Sequence, residues 1–346
     1  MKPAIIMGTR PEIIKLAPVI KCLGRRRHYT VFTGQHKDYN MGRLFMRQLG
    51  LPEPGYSIAP RGGPAARTGH MIQGLARILE EDRPDAVVVQ GDTDTVLAGA
   101  VAAVRCGIPV FHVEAGLRSR DWRMPEEYNR VAVDHLSEML FAPTKSARSN
   151  LTSEGVHGRI VITGNTAIDA VNMYAGAAKS GRPGKILLTL HRQENVDDRR
   201  ILNSILRGIV MSGEEVVFPV HPRTADRLQR FGLYKMLERA PNVELLDAQG
   251  YLEMLGLLQG CLFVVTDSGG LQEEATAPAI RKRVLVLRKS SDRPEGLGDL
   301  STLVGLSDTA VSRAIREAAQ NPRLASRSYP YGRGGAGARI ARFLGA

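Results

Sequence analysis

The stretch Ala86-Val87-Val88-Val89-Gln90-Gly91-Asp92-Thr93-Asp94 is a short apolar run that ends in a glycine and acidic residues. A continuous apolar run of this length is typical of a strand buried on both faces of a parallel sheet. Similar runs recur along the first half of the chain, with amphipathic segments of about 12 to 20 residues between them. The pattern predicts βαβ units, with strands at residues 4–7, 31–33, 86–90, 110–113, 139–142 and 160–163.

The second half repeats this rhythm, with predicted strands at residues 186–190, 216–220, 243–246, 262–266 and 284–287. A length of 346 residues also favours two domains. Between the halves lies Lys179-Ser180-Gly181-Arg182-Pro183-Gly184, which has no apolar anchor and which we interpret as the linker. We expect an α/β protein with domains 1–170 and 171–330, each a doubly wound parallel sheet, facing a central cleft. Residues 331–346 are expected to form a closing helix, at 338–344, that packs back on the first domain.

The composition excludes several classes of protein. With 43% hydrophobic and 24% charged residues, the chain is neither disordered nor collagen-like nor a coiled coil. No stretch approaches about 18 uninterrupted apolar residues, and the first residues form a strand-like run, so we expect no membrane association and a cytoplasmic location. Cys22, Cys106 and Cys261 are far apart and form no metal-ligand spacing, so we expect neither a disulfide framework nor a metal site.

The net charge of +12 permits two interpretations. Nucleic-acid-binding proteins concentrate Lys and Arg on one helix or stripe, often beside aromatic residues that stack on bases. Here the basic residues are spread out, and the dense cluster Arg25-Arg26-Arg27 follows a helical pattern, where cations at a helix C-terminus are favourable. We therefore expect no nucleic-acid partner and keep a polyanion-binding protein as the alternative of a different class. A basic surface that steers an anionic small substrate remains open.

Charged and glycine-rich residues follow nearly every predicted strand. In open α/β sheets the ligand binds at the carboxyl ends of the strands, so these positions indicate an enzyme cleft. Asp267-Ser268-Gly269-Gly270 lies between a strand and a helix, where free amides beside two glycines can bind a diphosphate. The alternative is that Ser268 only caps the helix. Arg10 and Lys15 follow the first strand, where they can bind a phosphate or carboxylate or are merely solvated residues of a helix start.

Three acids, Asp92, Glu114 and Glu126, follow the third strand, the fourth strand and a predicted helix start. Each alone is commonplace at the start of a helix. Together in one cleft they would repel an anionic ligand unless they transfer protons, and neighbouring carboxylates acquire separated pKa values that let one act as base and another as acid. His191 and His221 each end a strand of the second half, where they contact phosphate, transfer protons or are only structural.

A series of motifs runs collinearly along the chain from residue 3 to residue 305. They are Gly8-Thr9-Arg10-Pro11-Glu12 with Lys15, Gly91-Asp92-Thr93, His112-Val113-Glu114-Ala115-Gly116-Leu117-Arg118, Pro125-Glu126-Glu127 with Asn129-Arg130, Thr163-Gly164-Asn165-Thr166, His191-Arg192 with Glu194-Asn195, the run 266–274, and Arg293-Pro294-Glu295. In these motifs the chain resembles the UDP-N-acetylglucosamine 2-epimerases. The resemblance implies a glycosyltransferase-B-like fold of two Rossmann-like domains, a UDP-sugar substrate and no nicotinamide cofactor.

The resemblance also assigns roles to residues. Asp92, Glu114, Glu126 and His191 are similar to the family's catalytic group. Arg10 and Ser268 are assigned to the phosphates and Glu274 to the ribose hydroxyls, since a carboxylate accepts bidentately from a vicinal diol. The full set that we assign to substrate and UDP binding is Arg10, Lys15, Arg130, His221, Ser268, Gly269, Gly270 and Glu274. We expect no cofactor, no metal and a homodimer.

The implied reaction inverts C2 of the hexosamine. The C2 hydrogen is barely acidic, but loss of UDP from C1 makes it acidic, so elimination gives a 2-acetamidoglucal and UDP. Return of the proton to the opposite face gives the manno epimer. A hydrolysing 2-epimerase, an epimerase of a related UDP-diacetamido sugar and a glycosyltransferase of the same architecture remain open alternatives.

Two segments depart from the family's pattern. Leu190 stands where many members have Gly, and Lys37-Asp38-Tyr39 stands where bacterial members usually have a basic residue, Gln or Glu, and Met. The resemblance implies that the segment from Gln35 to Tyr39 helps to bind a second UDP-N-acetylglucosamine as an activator. Because Asp38 adds a negative charge near the second diphosphate, we expect this activation to be weak or absent.

Overall fold

The computed structural model describes residues 1–24, 28–34, 39–178, 181–289, 293–298, 300–322, 324 and 328–346. Over these residues helices lie between most successive strands, and the strands pair in parallel. Within the described ranges, no helix combines the length and the apolar character needed to cross a membrane. The predicted α/β class with two parallel sheets is confirmed.

The first sheet has seven strands. In chain order the elements are β1 (Pro3–Met7), α1 (Arg10–Leu23), β2 (Tyr29–Phe32), α2 (Tyr39–Gln48), β3 (Tyr56–Ser57), α3 (Pro64–Asp82), β4 (Ala86–Gln90), α4 (Asp94–Arg105), β5 (Val110–Val113), α5 (Pro125–Leu136), β6 (Met139–Ala142), α6 (Lys145–Ser153), β7 (Arg159–Ile162) and α7 (Thr166–Tyr174). The strands pair in the order β3-β2-β1-β4-β5-β6-β7. The strand order therefore reverses between β1 and β4, the kind of switch point at which doubly wound sheets bind ligands.

The second sheet has six strands and the same order without a counterpart of β7. After a 3-10 turn (Ala175–Ala177) come β8 (Ile186–Thr189), α8 (Gln193–Val196), α9 (Arg199–Ser212), β9 (Val216–Pro219), α10 (Pro222–Arg230), α11 (Tyr234–Glu238), β10 (Val243–Leu246), α12 (Tyr251–Gly260), β11 (Val264–Thr266), α13 (Gly269–Thr276), β12 (Val284–Val286), a second 3-10 turn (Pro294–Gly296), β13 (Ser301–Leu303), α14 (Asp308–Gln320) and α15 (Ala336–Phe343). The strands pair in the order β10-β9-β8-β11-β12-β13, so the switch point lies between β8 and β11.

The chain forms two compact units, Met1–Ala170 with Gly334–Ala346 and Val171–Arg333. It passes from the first unit to the second inside α7. The predicted linker is therefore wrong in position: Gly181 donates a backbone hydrogen bond to Gly256 at 3.0 Å and belongs to the second unit. Lys179 and Ser180 lie outside the described residues. Glycine and proline indicate a break in helical structure, but composition does not show whether that break separates two units.

The last helix, α15, belongs to the first unit and packs against α1. Asp169 on α7 holds its start by accepting hydrogen bonds from the backbone of Gly337 at 2.6 Å and of Gly335. A Cβ atom at Gly337 would lie 2.8 Å from the Cβ of Pro18, so glycine is what permits the close approach of the two helices.

Each unit has its own apolar core, built from faces that the sequence pattern predicts. On α9 the buried residues Leu202, Ile205, Leu206 and Ile209 recur with helical spacing and pack on the strands of the second sheet. Burying each such side chain contributes about 1.5–3 kcal/mol. The sequence patterns missed β3 and β13, because these strands of two or three residues lie at sheet edges and carry no continuous apolar run.

Candidate active site

The turn between β1 and α1 is organised by a buried glutamate, Glu12. Its Oε2 accepts hydrogen bonds from the backbone of Gly8 at 2.5 Å and of Thr9 at 3.2 Å, and its Oε1 accepts from the hydroxyl of Thr93 at 2.5 Å. Burial raises the pKa of Glu12 to about 7, although these hydrogen bonds oppose the rise. Arg10 is exposed at the start of α1, with its guanidinium 5.8 Å from the centre of the Phe45 ring. Glu12 was not among the site residues predicted from the sequence.

Glu114 is paired with the predicted binding residue Lys15. The ammonium of Lys15 donates to both carboxylate oxygens of Glu114, at 2.8 and 2.5 Å, and Gln90 donates to Oε2 at 2.9 Å. Glu114 has a φ of +71°, a left-handed conformation that costs a residue with a side chain about 1–3 kcal/mol. That conformation fixes the carboxylate at the carboxyl end of β5. The structure thus brings together two residues that lie 99 positions apart in the sequence.

Asp92 is paired with Arg130 of α5, and the sequence had predicted each of them separately as a site residue. Arg130 donates to Oδ2 of Asp92, and its second amino group lies 3.1 Å from Glu127. Asn129 on the same helix donates to the backbone carbonyl of Asp92 at 3.0 Å. Helix α5 therefore holds both the backbone and the side chain of Asp92. About a third of the Asp92 side chain stays exposed, so the carboxylate is held by a cation and still reaches solvent.

Among the described contacts, Glu126 joins neither ion pair, Asp92 with Arg130 or Glu114 with Lys15. Its side chain is exposed on the first turn of α5. The next residue, Glu127, is buried and accepts from the backbone and hydroxyl of Ser119 at 3.0 and 2.8 Å and from the backbone of Arg120 at 2.9 Å. Of these two neighbouring acids, Glu127 thus shapes the loop before α5, whereas Glu126 projects from it.

The sequence did not predict the individual residues of a buried hydrogen-bond network that joins the loop of Asp92 to the loop of Glu114. His112 bonds Asp134 through Nδ1 at 2.7 Å and the carbonyl of Gly91 through Nε2 at 2.8 Å. Asp134 also accepts from the backbone of Gly116 at 3.1 Å and pairs with Arg118 at 2.7 Å. One histidine thus links the loop of Asp92 to the loop of Glu114. The only sequence signal was its place inside the His112–Arg118 motif.

In the second unit, Asp267 organises the carboxyl end of the sheet. It is fully buried and accepts from the backbone of His191 at 3.1 Å, the backbone of Arg192 at 3.0 Å and the amide of Asn195 at 3.2 Å. Asp267 follows β11 and these donors follow β8, so the carboxylate joins the two strands at the switch point. The adjacent hydroxyls of Thr189 and Thr266 bond each other at 2.6 Å. Asp267 thereby fixes the backbone position of His191.

The two predicted histidines lie side by side, with ring centroids 5.5 Å apart. Burial lowers the pKa of both, and His191 lowers the pKa of His221 further. The Nδ1 atom of His221 accepts from the backbone of Arg223 at 3.2 Å and caps α10. A neutral His221 therefore carries its proton on Nε2, which can donate to a ligand. Two neutral imidazoles can bind a phosphate by donation and can also exchange protons.

The segment at Ser268 starts α13 as the sequence suggested. The Ser268 hydroxyl accepts from the backbone of Leu271 at 3.3 Å, so it caps the helix. Gly269 and Gly270 begin the helix, where amides lack partners within the helix and can bind an anion. A Cβ atom at Gly270 would lie 4.0 Å from its nearest contact, the Ser268 hydroxyl, so that residue leaves space at the helix start.

Glu274 lies half-buried on the next turn of α13. Its neighbour Glu273 is buried and accepts from the guanidinium of Arg293 at 2.5 Å, while Tyr331 donates to the Arg293 carbonyl at 3.0 Å. Arg293, the first residue of the Arg293-Pro294-Glu295 motif, therefore holds α13 through Glu273. Among the described residues, no group of three or more His, Cys, Asp or Glu is arranged to hold a metal ion. Residues 25–27 and 35–38, with the arginine cluster and the Asp38 segment, lie outside the described part of the chain.

Comparison with known proteins gives a family match over most of the chain. The family model described as UDP-N-acetylglucosamine 2-epimerase matches residues 23–345. The chain is 42% identical to the UDP-N-acetylglucosamine 2-epimerase of Methanococcus maripaludis, over 89% of this chain and 88% of that protein. It is 38% identical, over 99% of both chains, to a UDP-2,3-diacetamido-2,3-dideoxy-D-glucuronate 2-epimerase of Pseudomonas aeruginosa.

A crystal structure gives the same result for the fold. The Methanocaldococcus jannaschii UDP-GlcNAc 2-epimerase in complex with UDP-GlcNAc and UDP superimposes with a TM-score of 0.89 at 40% identity, over 100% of this chain and 99% of that one. One conclusion follows from the fold of two parallel-sheet units, from the acids that are paired with cations after β4 and β5, and from the matched sequences. The chain belongs to the UDP-N-acetylglucosamine 2-epimerase family.

Proposed function

We propose that this protein interconverts UDP-N-acetylglucosamine and UDP-N-acetylmannosamine by eliminating UDP and adding it back, without net hydrolysis. Family membership supports the substrate. The observation that carries the reaction type is the pair of carboxylates, Glu114 with Lys15 and Asp92 with Arg130, at the carboxyl ends of the adjacent strands β5 and β4. Each carboxylate lies within ion-pair distance of a cation, and a positioned carboxyl group can accept or return a proton.

The chemistry needs two proton transfers on opposite faces of the sugar. In the first, the C1–O bond to UDP breaks with its electron pair and a base takes the C2 proton, which leaves a 2-acetamidoglucal. In the second, an acid returns a proton to the other face of C2 while UDP re-adds at C1. Asp92 and Glu114 stand at neighbouring strand ends and suit these two roles. Glu126 and His191 complete the proposed catalytic group, and the exposed Glu126 has no other task among the described contacts.

The departing UDP needs a group of donors that stabilises its new negative charge. The amides at the start of α13, with Ser268, Gly269 and Gly270, supply such donors, and His221 can add an N–H. Glu274 is proposed to accept from the ribose hydroxyls, and Arg10 and Lys15 are proposed to contribute positive charge toward the diphosphate. Lys15 is also paired with Glu114.

Incubation with UDP-N-acetylglucosamine in deuterated water tests the proposal. We expect deuterium at C2, formation of the manno epimer and no accumulation of free UDP. Free UDP with N-acetylmannosamine would instead show the hydrolysing variant. The enzyme could instead exchange no hydrogen in UDP-N-acetylglucosamine but exchange the C2 hydrogen of UDP-2,3-diacetamido-2,3-dideoxy-D-glucuronate. That result would assign the substrate in the name of the Pseudomonas aeruginosa relative. Transfer that requires an added acceptor would show a glycosyltransferase.

The remaining expectations stay predictions. Elimination and re-addition transfer no hydride, so we expect activity without added nicotinamide, and full activity after chelation and gel filtration. Sedimentation velocity tests the expected homodimer, and fractionation of source cells tests the cytoplasmic location. The expected weakness of activation is tested by starting from the manno epimer with and without a trace of the gluco epimer. A reverse reaction that is silent until the trace is added would contradict the interpretation of Asp38.

A further inference from the structure

Glu12 is a buried carboxylate near the end of β1, and it has no role in the proton transfers proposed above. It lies in the first turn of α1 and is 1% exposed. One oxygen holds the backbone of Gly8 and Thr9, and the other holds the hydroxyl of Thr93. A single side chain therefore joins the ends of β1 and β4, the two strands at the switch point of the first sheet.

The Thr93 hydroxyl binds Glu12 and does not cap the helix that Thr93 begins. It occupies the N-cap position of α4, with φ −78° and ψ 170°, yet its side chain makes no cap hydrogen bond. A threonine in that position ordinarily accepts from an amide of the first helical turn, which is worth about 1 kcal/mol. Here its hydroxyl donates across to Glu12 instead. The contact fixes the residue that directly follows Asp92.

The surroundings leave Glu12 little freedom to move. A Cβ atom at Gly8 would lie 2.2 Å from the hydroxyl oxygens of Thr33 and of Thr95, so the turn is packed too closely for any other residue. The amides of Gly8 and Thr9 belong to buried residues and need an acceptor, because a buried N–H without a partner is costly. Glu12 meets that need and thereby anchors its second oxygen at a fixed distance from Thr93.

Asp92 is consequently held from two sides. Asn129 and Arg130 of α5 bind its carbonyl and its carboxylate, and Glu12 binds the next residue from the side of β1. We propose that Glu12 is a positioning residue that acts through Thr93 to hold Asp92 where it exchanges a proton with the substrate. The inference rests on the proposed function, because it assumes that Asp92 takes part in the epimerisation.

The test compares isosteric and conservative variants in the deuterium-exchange assay with UDP-N-acetylglucosamine. Thr93→Val removes the hydroxyl but keeps the β-branched shape, and Thr93→Ser keeps the hydroxyl. We expect kcat to fall at least about tenfold in Thr93→Val, since misplacing a catalytic group by about 1 Å can cost about a hundredfold. KM and the Kd for UDP should change less than about twofold. Thr93→Ser should stay within about threefold of the wild type.

Two further variants separate positioning from structural support. Thr33→Val removes another buried hydroxyl from the neighbouring strand end, one that bonds Thr95 at 2.8 Å and not Glu12, and should keep kcat within about threefold. Glu12→Gln keeps acceptors for Gly8 and Thr9 and a donor for Thr93, so its kcat should also stay within about threefold. Thermal unfolding of each variant verifies that the fold is retained.

The outcomes distinguish this inference from the proposed function. An active wild type with an equally active Thr93→Val variant overturns the positioning role alone. Equal losses in Thr93→Val and Thr33→Val, or in Thr93→Val and Thr93→Ser, overturn it as well, because neither follows the contact with Glu12. A wild type that exchanges no C2 hydrogen in UDP-N-acetylglucosamine refutes the proposed function and, with it, the role of Glu12.

Discussion

The carboxyl ends of the two sheets share a topology but differ in their chemistry. Each switch point contains a buried carboxylate that joins two adjacent strands, Glu12 in the first unit and Asp267 in the second. Asp267 accepts from backbone and amide N–H groups. Glu12 accepts from two N–H groups and a hydroxyl, and burial still raises its pKa to about 7.

The side chains around these two carboxylates give the units different capacities. The first unit presents acids paired with Lys15 and Arg130, and the second presents two histidines of lowered pKa and the free amides of a helix start. Carboxylates suit proton transfer from carbon, whereas amides and imidazoles suit a departing diphosphate. The same strand order therefore supports two different sets of chemical groups, and a substitution that changes only one set should leave the other set in place.

The largest expected effect comes from Glu114→Gln. The substitution removes the proton acceptor beside Lys15, so kcat should fall between about a hundredfold and ten-thousandfold. The Kd for UDP, measured by calorimetry, should change less than about threefold, because Glu114 itself is not among the proposed UDP-binding residues. Glu138→Gln makes the same change at an exposed residue of the first unit and should leave both quantities unchanged. A Glu114→Gln variant with normal turnover would remove Glu114 from the catalytic group.

Glu12→Gln should change how stability depends on pH. The folded state binds a proton at Glu12 with a pKa of about 7, above the ordinary 4.5, so it holds an extra proton between these two values. The wild type therefore loses stability as pH rises through this window, and the variant lacks that loss. The free energy of unfolding of the variant, relative to the wild type, should rise by about 3 kcal/mol from pH 4.5 to pH 7. Urea denaturation at several pH values measures it, and parallel curves would contradict the buried-acid interpretation.

Glu274→Gln should weaken UDP binding without removing the proton-transfer groups. Loss of the charge that accepts from the ribose hydroxyls should raise the Kd for UDP about tenfold. The kcat at saturating substrate should fall by less than about threefold. Glu253→Gln replaces an exposed glutamate of the same unit and serves as the matched control. An unchanged Kd in Glu274→Gln would place the ribose elsewhere.

His221→Asn gives the smallest expected effect, and its sign is opposite to that of Glu12. Burial lowers the pKa of His221 below 6.5, so the unfolded state binds more protons as pH falls through 6.5. The wild type should therefore lose stability relative to the variant as pH falls from 7 to 5. Asparagine can keep the cap of α10, because its side-chain oxygen also accepts from a helix amide. Equal pH dependence in the two proteins would mean that His221 titrates as it does when unfolded.

Much of the fold could be predicted from the sequence because strand signals are local. The predicted strands of both sheets overlap the observed ones, since buried parallel strands leave continuous apolar runs. The motifs likewise pointed to Asp92, Glu114, His191 and Ser268, because residues at the ends of parallel strands meet at one edge of the sheet. The predicted linker failed because the boundary between the units lies inside α7, and a continuous helix has no compositional mark of such a boundary.

The sequence by itself determined the parallel sheets, the family and the set of residue types at the site. Only the tertiary structure decided which partner each acid has: Lys15 for Glu114, Arg130 for Asp92 and Thr93 for Glu12. These partners are 38 to 99 positions apart in the chain, and a periodic pattern describes only neighbours within a few turns. Ion pairing and burial depend on distance in space, so the protonation chemistry of the site is a property of the fold.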